Sequence, residues 1–342
     1  MREAVIVGSG SAGRRHAAAL RLIEPEIAIT VVQRPESVQP VDELLHLQVS
    51  LVPTLDDALA RSPDLCIVAN PSTFHADAAT RLLQLNSPVL IEKPLAADLQ
   101  AAALIQSAEL QTGNAALVGY HLRFSDLLPE LQRLIASGVI GTPTGFHLSV
   151  GQHLDGWRTG TQSELSVSAR QELGGGVLLE LSHEFDALRF ALSCNISEVT
   201  ACELRFDGAP TDGNVETVAQ VKLTTSTGLT GLVHLDMVAA TPTREWVIFG
   251  TGGTLVADVL GSTIRLTTPV GITSVLAEFA EGERDRAELN LIQHLLELAQ
   301  PNIAPRCTST DGIVALFVIE AARMSYSTGQ AVRVLQDQRP YL

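Results

Sequence analysis

Residues 8–13, Gly8-Ser9-Gly10-Ser11-Ala12-Gly13, satisfy the pattern G-x-G-x-x-G. Alone, such a cluster marks no more than a turn. Here an apolar run at 4–7 precedes it and a helix-like stretch at 14–22 follows, and that context gives it a specific chemistry. Gly8 permits a tight turn, Gly10 lets a pyrophosphate approach the main chain, and Gly13 lets the helix pack against the strand. The start of the helix presents N–H groups and the positive end of its dipole to phosphate. The six residues are therefore the candidate cradle of a dinucleotide.

The second apolar run ends at Gln33-Arg34. An acidic residue about 20 positions past the glycines would bind the ribose 2′-hydroxyl of NAD. Gln33 stands there instead and Arg34 follows it, so a 2′-phosphate meets no repulsion and gains a guanidinium partner. The cofactor expected is NADP or NAD, with NADP favoured. Two further loops follow apolar runs. In Asn70-Pro71-Ser72-Thr73-Phe74-His75, Asn70, Pro71 and His75 are cofactor-contact candidates, although a lone histidine opening a helix more often packs or caps. In Glu92-Lys93-Pro94, Lys93 can hydrogen-bond a reacting hydroxyl or carbonyl oxygen and shuttle its proton, with Glu92 beside it near the cofactor. Pro94 fixes the backbone after the lysine.

The elements that must hold these residues read as a strand–helix alternation. Runs at 4–7, 27–32, 65–69, 89–91 and 116–118 are continuously apolar. Helical stretches cover 14–22, 55–60, 74–85 and 99–112, with Thr54 and Asp98 as N-caps. Apolar strands without alternation imply a parallel sheet covered on both faces, with ligands at its carboxyl edge. After Tyr120 the pattern changes. A helix at 127–136 stops at Gly138, and the turn Gly174-Gly175-Gly176 leads into helix through 192. Successive strands with hairpin turns at 226–228 and 252–253 then run from 196 to 268, before closing helices at 286–298 and 311–327. Strands in direct succession predict an antiparallel or mixed sheet, so this half reads as α+β.

A chain of 342 residues exceeds one ordinary core, so two domains are expected, 1–120 and 121–342. The net charge of −15 argues against a nucleic-acid partner. No apolar run suits a bilayer, and Met1-Arg2-Glu3 leads straight into a strand, so neither a membrane partner nor a leader is expected. Cys66, Cys194, Cys202 and Cys307 are scattered without metal-type pairing, which favours the cytoplasm and predicts no metal.

The residues Gly8–Gly13, His16, Asn70-Pro71, His75, Glu92-Lys93-Pro94, Val118-Gly119-Tyr120, Arg123-Phe124, Gly174-Gly175-Gly176, His183 and Asp186 together resemble the Gfo/Idh/MocA oxidoreductases. The resemblance runs over nearly the whole chain. It implies a Rossmann domain followed by an α/β domain with a large open, mostly antiparallel sheet, assembly into a homodimer or homotetramer through that sheet, and NAD(P)-dependent hydride transfer on sugars or polyols. It also implies that Lys93 is the catalytic lysine, preceding a cis proline, and that His183 is the general acid/base, a role that suits imidazole. Two departures fall in the substrate region. The family commonly has an aspartate four residues before the histidine, whereas Glu180 precedes His183 by three. His121 stands where many members carry asparagine. On one helix, residues three apart share a face, so Glu180 is expected to orient His183.

Substrate contacts are expected from Lys93, His121, Arg123 and His183, and from Trp157 and Arg158. The indole of Trp157 suits the C–H face of a sugar and Arg158 an anionic group. Two rival functions remain open at this stage: an NADP(H)-binding redox sensor without turnover, and a reductase of C=N or C=C bonds.

Overall fold

A computed structural model of the protein describes residues 2–34, 42–157, 163, 166–206, 211 and 213–334. The chain divides into two compact units. The first runs to His121 and takes back Asp285–Ile313. The second holds Leu122–Arg284 and resumes at Val314. The return of Asp285–Ile313 differs from the expectation that everything past residue 120 belongs to the second domain. Within that segment Ala287, Leu291, Ile292 and Leu295 are buried at spacings of three and four, the apolar stripe of a helix that needs a partner.

In the first unit the elements are β1 (Glu3–Val7), α1 (Ser11–Ile23), β2 (Ala28–Val32), α2 (Asp42–His46), β3 (Ser50–Val52), α3 (Leu55–Leu59), β4 (Leu65–Val68), α4 (His75–Leu82), β5 (Val89–Ile91), α5 (Leu99–Thr112) and β6 (Ala116–Val118). The strands form one parallel sheet in the order β3-β2-β1-β4-β5-β6. Every residue of β4, β5 and β6 is buried, which is why these strands are apolar without alternation. Both expected caps form. Thr54 accepts from the Asp57 N–H and Asp98 from the Ala101 N–H. The strand order reverses between β1 and β4, so the glycine loop after β1 sits at the switch point where such sheets bind ligands.

The second unit comprises α6 (Leu127–Ala136), β7 (Pro143–Gly151), α7 (Val177–Glu180), α8 (His183–Leu192), β8 (Ile196–Arg205), β9 (Val218–Thr225), β10 (Thr230–Asp236), β11 (Thr243–Gly250), β12 (Gly253–Asp258), β13 (Thr263–Thr267) and β14 (Thr273–Glu278). After α9 (Glu283–Glu297) and α10 (Ser309–Thr328), β15 (Val332–Arg333) completes its sheet. The nine strands lie in the order β14-β13-β12-β11-β7-β10-β9-β8-β15. All neighbours are antiparallel except β7 and β10. Phe146, Leu148, Val150, Trp246 and Ile248 are buried on one face, while Leu232 and Phe249 stand exposed on the other. No described helix is long and apolar enough to cross a membrane.

Candidate active site

The glycine loop has room only for glycine at two of its positions. Gly8 adopts φ +114°, and a Cβ there would lie 2.7 Å from the Ala69 carbonyl oxygen. A Cβ on Gly13 would lie 2.0 Å from the Gly8 oxygen, which is the close helix–strand packing expected of that residue. At Gly10 a Cβ would meet nothing within 4 Å, so the main chain there borders open space. Gly10 is also the N-cap of α1, and no side chain caps that helix start. Uncapped N–H groups at such a helix start are suited to a phosphate. These residues would hold the dinucleotide.

Past β2, Gln33 is half-buried and Arg34 exposed. The Arg34 guanidinium lies over the Phe74 ring, 5.1 Å from its centroid, and so joins the ends of β2 and β4. His75 has a different surrounding from the one a cofactor contact requires. It is buried, its Nδ1 lies 3.0 Å from the Pro94 oxygen, and its Nε2 lies 2.8 Å from the Asn70 oxygen. It ties the Asn70-Pro71 loop to the loop after β5. Burial pushes the imidazole below its usual range, against the carbonyl contacts that favour its charged form.

Lys93 follows β5 at the carboxyl edge of the same sheet, half-buried, and the Lys93–Pro94 bond is cis. Only Lys93 and Lys222 are lysines in a chain with 23 basic residues. Glu92 turns inward. Its Oε1 lies 2.7 Å from His16 Nε2, and its Oε2 accepts from the Lys93 N–H at 3.0 Å. Burial would raise the Glu92 carboxyl. The hydrogen bond and charge of His16, with Arg15 and Lys93 nearby, outweigh it and hold the group well below the usual carboxylate range. Gly119 packs on this carboxylate, since a Cβ there would lie 3.2 Å from Glu92 Oε2.

Glu288, from α9, joins the cluster. His16, Glu92 and Glu288 each bring a ligating atom within 4.8 Å of the others. Glu288 Oε1 lies 3.4 Å from Arg15 Nη2 and 3.8 Å from His121 Nδ1. His121, expected to contact substrate, is thus buried against a carboxylate. Sequence reasoning missed Glu288, although a signal exists. It is a charge placed on the apolar stripe Leu291, Ile292 and Leu295.

In the second unit, the expected single helix carrying Glu180 and His183 is interrupted. α7 ends at Glu180, Leu181 and Ser182 form the break, and α8 begins at His183. The three-residue spacing therefore does not place the two on one continuous helical face. Glu180 Oε1 accepts from Ser168 Oγ at 2.8 Å, and His183 is 5% exposed. The glycine turn before α7 is a packing device. A Cβ on Gly175 would lie 2.6 Å from the Ser168 oxygen and one on Gly176 2.3 Å from Glu216 Oε2. Arg123 grips Asp186 through Nε at 2.9 Å and Nη2 at 2.6 Å, and lies over Phe190. Its guanidinium serves the fold rather than a substrate anion. Arg244 binds the fully buried Glu184 at 2.7 Å. Trp157 is half-buried, and Arg158 lies outside the described residues.

A parallel sheet with a glycine loop at its switch point, and a lysine after β5 on the same carboxyl edge, is the arrangement of a nicotinamide-nucleotide-dependent oxidoreductase. Residues 2–120 match the model of the oxidoreductase family with an NAD-binding Rossmann fold, and residues 129–256 match the GFO/IDH/MocA C-terminal domain. The chain belongs to the Gfo/Idh/MocA oxidoreductase family, and the protein is an enzyme of that family. It is 26% identical to 1,5-anhydro-D-fructose reductase of Ensifer adhaerens, over 79% of this chain and 80% of that protein. It is 26% identical to inositol 2-dehydrogenase 1 of Saccharopolyspora erythraea, over 82% of this chain and 79% of that one. Its fold resembles GenD2 from gentamicin A biosynthesis, solved in complex with NAD, with a TM-score of 0.82 and 23% identity over 98% of this chain and 96% of that one. It also resembles levoglucosan dehydrogenase in complex with NADH, with a TM-score of 0.83 and 15% identity over 98% and 99% of the two chains.

Proposed function

We propose that the enzyme transfers a hydride between a nicotinamide dinucleotide and a CH–OH carbon of a sugar, sugar derivative or polyol. The observation that carries this is the placement of Lys93 directly after β5, on the same sheet edge as the glycine loop after β1. The relatives named as an anhydrofructose reductase and an inositol dehydrogenase support the substrate class. Bound nicotinamide would supply the hydride acceptor or donor. Lys93 then hydrogen-bonds the reacting oxygen and takes up or returns the hydroxyl proton. His183 is the second acid–base group, with Glu180 at the end of the preceding helix as its orienting carboxylate. Trp157 and Arg158 contact the substrate, and His121 shapes the floor behind Lys93.

The first unit is the cofactor domain and the second the substrate and oligomerisation domain. NADP binds at least as well as NAD, because Gln33 carries no charge and Arg34 can pair with a 2′-phosphate. The four free thiols suit a reducing cytoplasm. A homodimer or homotetramer forms through the open face of the nine-stranded sheet. There Leu232 and Phe249 border a shallow hollow of about 460 Å³. Light scattering on a Leu232→Lys, Phe249→Lys variant tests that assembly.

The function is tested by following nicotinamide absorbance over a panel of aldoses, nucleotide sugars, polyols and imines with each cofactor. Turnover of a hydroxylated substrate is expected. Turnover of imines alone, or tight cofactor binding with no turnover at all, overturns the assignment.

A further inference from the structure

The buried groups behind Lys93 do more than fill space. Glu92 is faced by Arg15 and His16 from α1, by His75 from α4, by Lys93 and by Glu288 from α9, and His121 after β6 lies against Glu288. Both of its oxygens are engaged, one by the His16 ring and one by the Lys93 main chain, so its carboxylate is committed inside the protein rather than to a cofactor. His16 has no exposed surface, Glu92 is itself buried, and Gly119 packs so close to the carboxylate that a Cβ there would lie 3.2 Å from its Oε2. A carboxylate so enclosed holds the chain that carries Lys93 in one place.

We propose that Glu92 and His16 are positioning residues for Lys93: the pair fixes its main chain and keeps a negative charge behind its side chain. The inference rests on the assignment of Lys93 as the acid–base group. Glu288 supplies a second observation. It is buried, and neither of its oxygens accepts a hydrogen bond among the described residues. Arg15, at 3.4 Å, is the cation set against it. The network thus sets two carboxylates, Glu92 and Glu288, among the cations Arg15 and Lys93 and the imidazoles of His16, His75 and His121. Deleting one carboxylate leaves the cations in excess, and a cation in excess surrenders its proton more readily.

The scarcity of lysine makes this directly measurable. Reductive methylation with ¹³C-formaldehyde labels Lys93, Lys222 and the terminal amine, and each dimethylamine titrates as its own NMR signal. Lys222, on β9, is the internal control. In Glu92→Gln the Lys93 midpoint should fall by about one pH unit while Lys222 stays in place, with NAD(H) affinity near wild type. Should that variant fail to fold, Glu92→Asp, whose shorter side chain draws the carboxylate back from the Lys93 main chain, should move Lys93 the same way by less. A Lys93 midpoint equal to wild type in Glu92→Gln, or in Glu92→Asp should Glu92→Gln not fold, overturns the proposal. So does a stoichiometric divalent metal in the purified protein that Glu288→Gln loses, because His16 and Glu92 would then be its ligands. The titration needs no turnover, so an enzyme inactive on every sugar would sink the proposed function and still show this shift.

Discussion

Arg34 lies over the ring of Phe74, 5.1 Å from its centroid, although the two leave different strands of the sheet. The contact holds an exposed guanidinium beside the place where a dinucleotide ribose meets the end of β2. Arg34→Ala should therefore weaken NADP by roughly ten- to a hundredfold, the loss of a charged hydrogen bond of about 1.5–3 kcal/mol, and leave NAD nearly unchanged. Phe74→Ala should give a smaller loss of the same kind, since an exposed cation–π contact is worth about 0.5–1 kcal/mol. Direct titration of both cofactors decides it; NAD preference unmoved by either change would remove Arg34 from the site.

Lys93→Ala should cut turnover by about 10²–10⁴-fold while cofactor affinity stays close to wild type. The separation matters, because the proposed dinucleotide cradle consists of the glycine loop and the end of β2 rather than the lysine. Stopped-flow turnover paired with fluorescence titration of NAD(P)H measures both quantities on one preparation. Full activity in the variant would exclude Lys93 from proton transfer.

Arg123 and Asp186 form a two-bond ion pair with side chains only 8% and 1% exposed. Removing one partner strands a buried charge, so Arg123→Ala should cost about 3–5 kcal/mol, moderated by Arg189, whose Nη1 lies 4.0 Å from Asp186. Removing both in Arg123→Ala, Asp186→Ala should cost less than the two single changes summed. Urea unfolding gives these numbers. A mild single-variant loss with a large rise in substrate KM would instead return Arg123 to substrate binding.

His75 gives stability a pH dependence of known sign. Its imidazole titrates lower in the folded protein than in the unfolded chain, chiefly through burial. The unfolded chain therefore takes the proton first. The contribution is complete above the ordinary imidazole value of about 6.5, and declines as pH falls below it towards the folded value. His75→Gln should flatten the fall in Tm between about pH 6.5 and pH 5 relative to wild type. Parallel Tm–pH curves for the two proteins would count against the assignment.

The first unit was legible because its signals are local. Runs such as Leu65–Val68 are apolar throughout, and the glycines and the Thr54 and Asp98 caps mark where elements begin. Strand β3 and helix α2 were missed because three and five residues give too little periodicity to read. Strand β7 does alternate, with Phe146, Leu148 and Val150 inward, but Pro143, Gly145 and Gly151 disguise it as a loop. The break between α7 and α8 falls at Leu181-Ser182, where no proline or glycine announces it. Glu288 shows the remaining limit. Its oddity on an apolar stripe is visible in the sequence, but its neighbours His16 and Glu92 belong to distant parts of the chain, and only folding brings them together.

The nine-stranded sheet has one parallel seam, between β7 and β10. On one side of it β11, β12, β13 and β14 follow each other as hairpins, each closed by a short turn. On the other side β9 and β10 form a hairpin, and β8 adds to it. The seam itself joins Gly151 to Asp236 and forms only after the whole intervening chain has been looped back, an entropic cost that local hairpins escape. The two halves of the sheet can therefore assemble quickly and separately, and their union at β7 sets the pace of folding for the second unit. Substitutions along β7 that weaken this seam should slow refolding more than equal losses of stability within the β11–β14 meander.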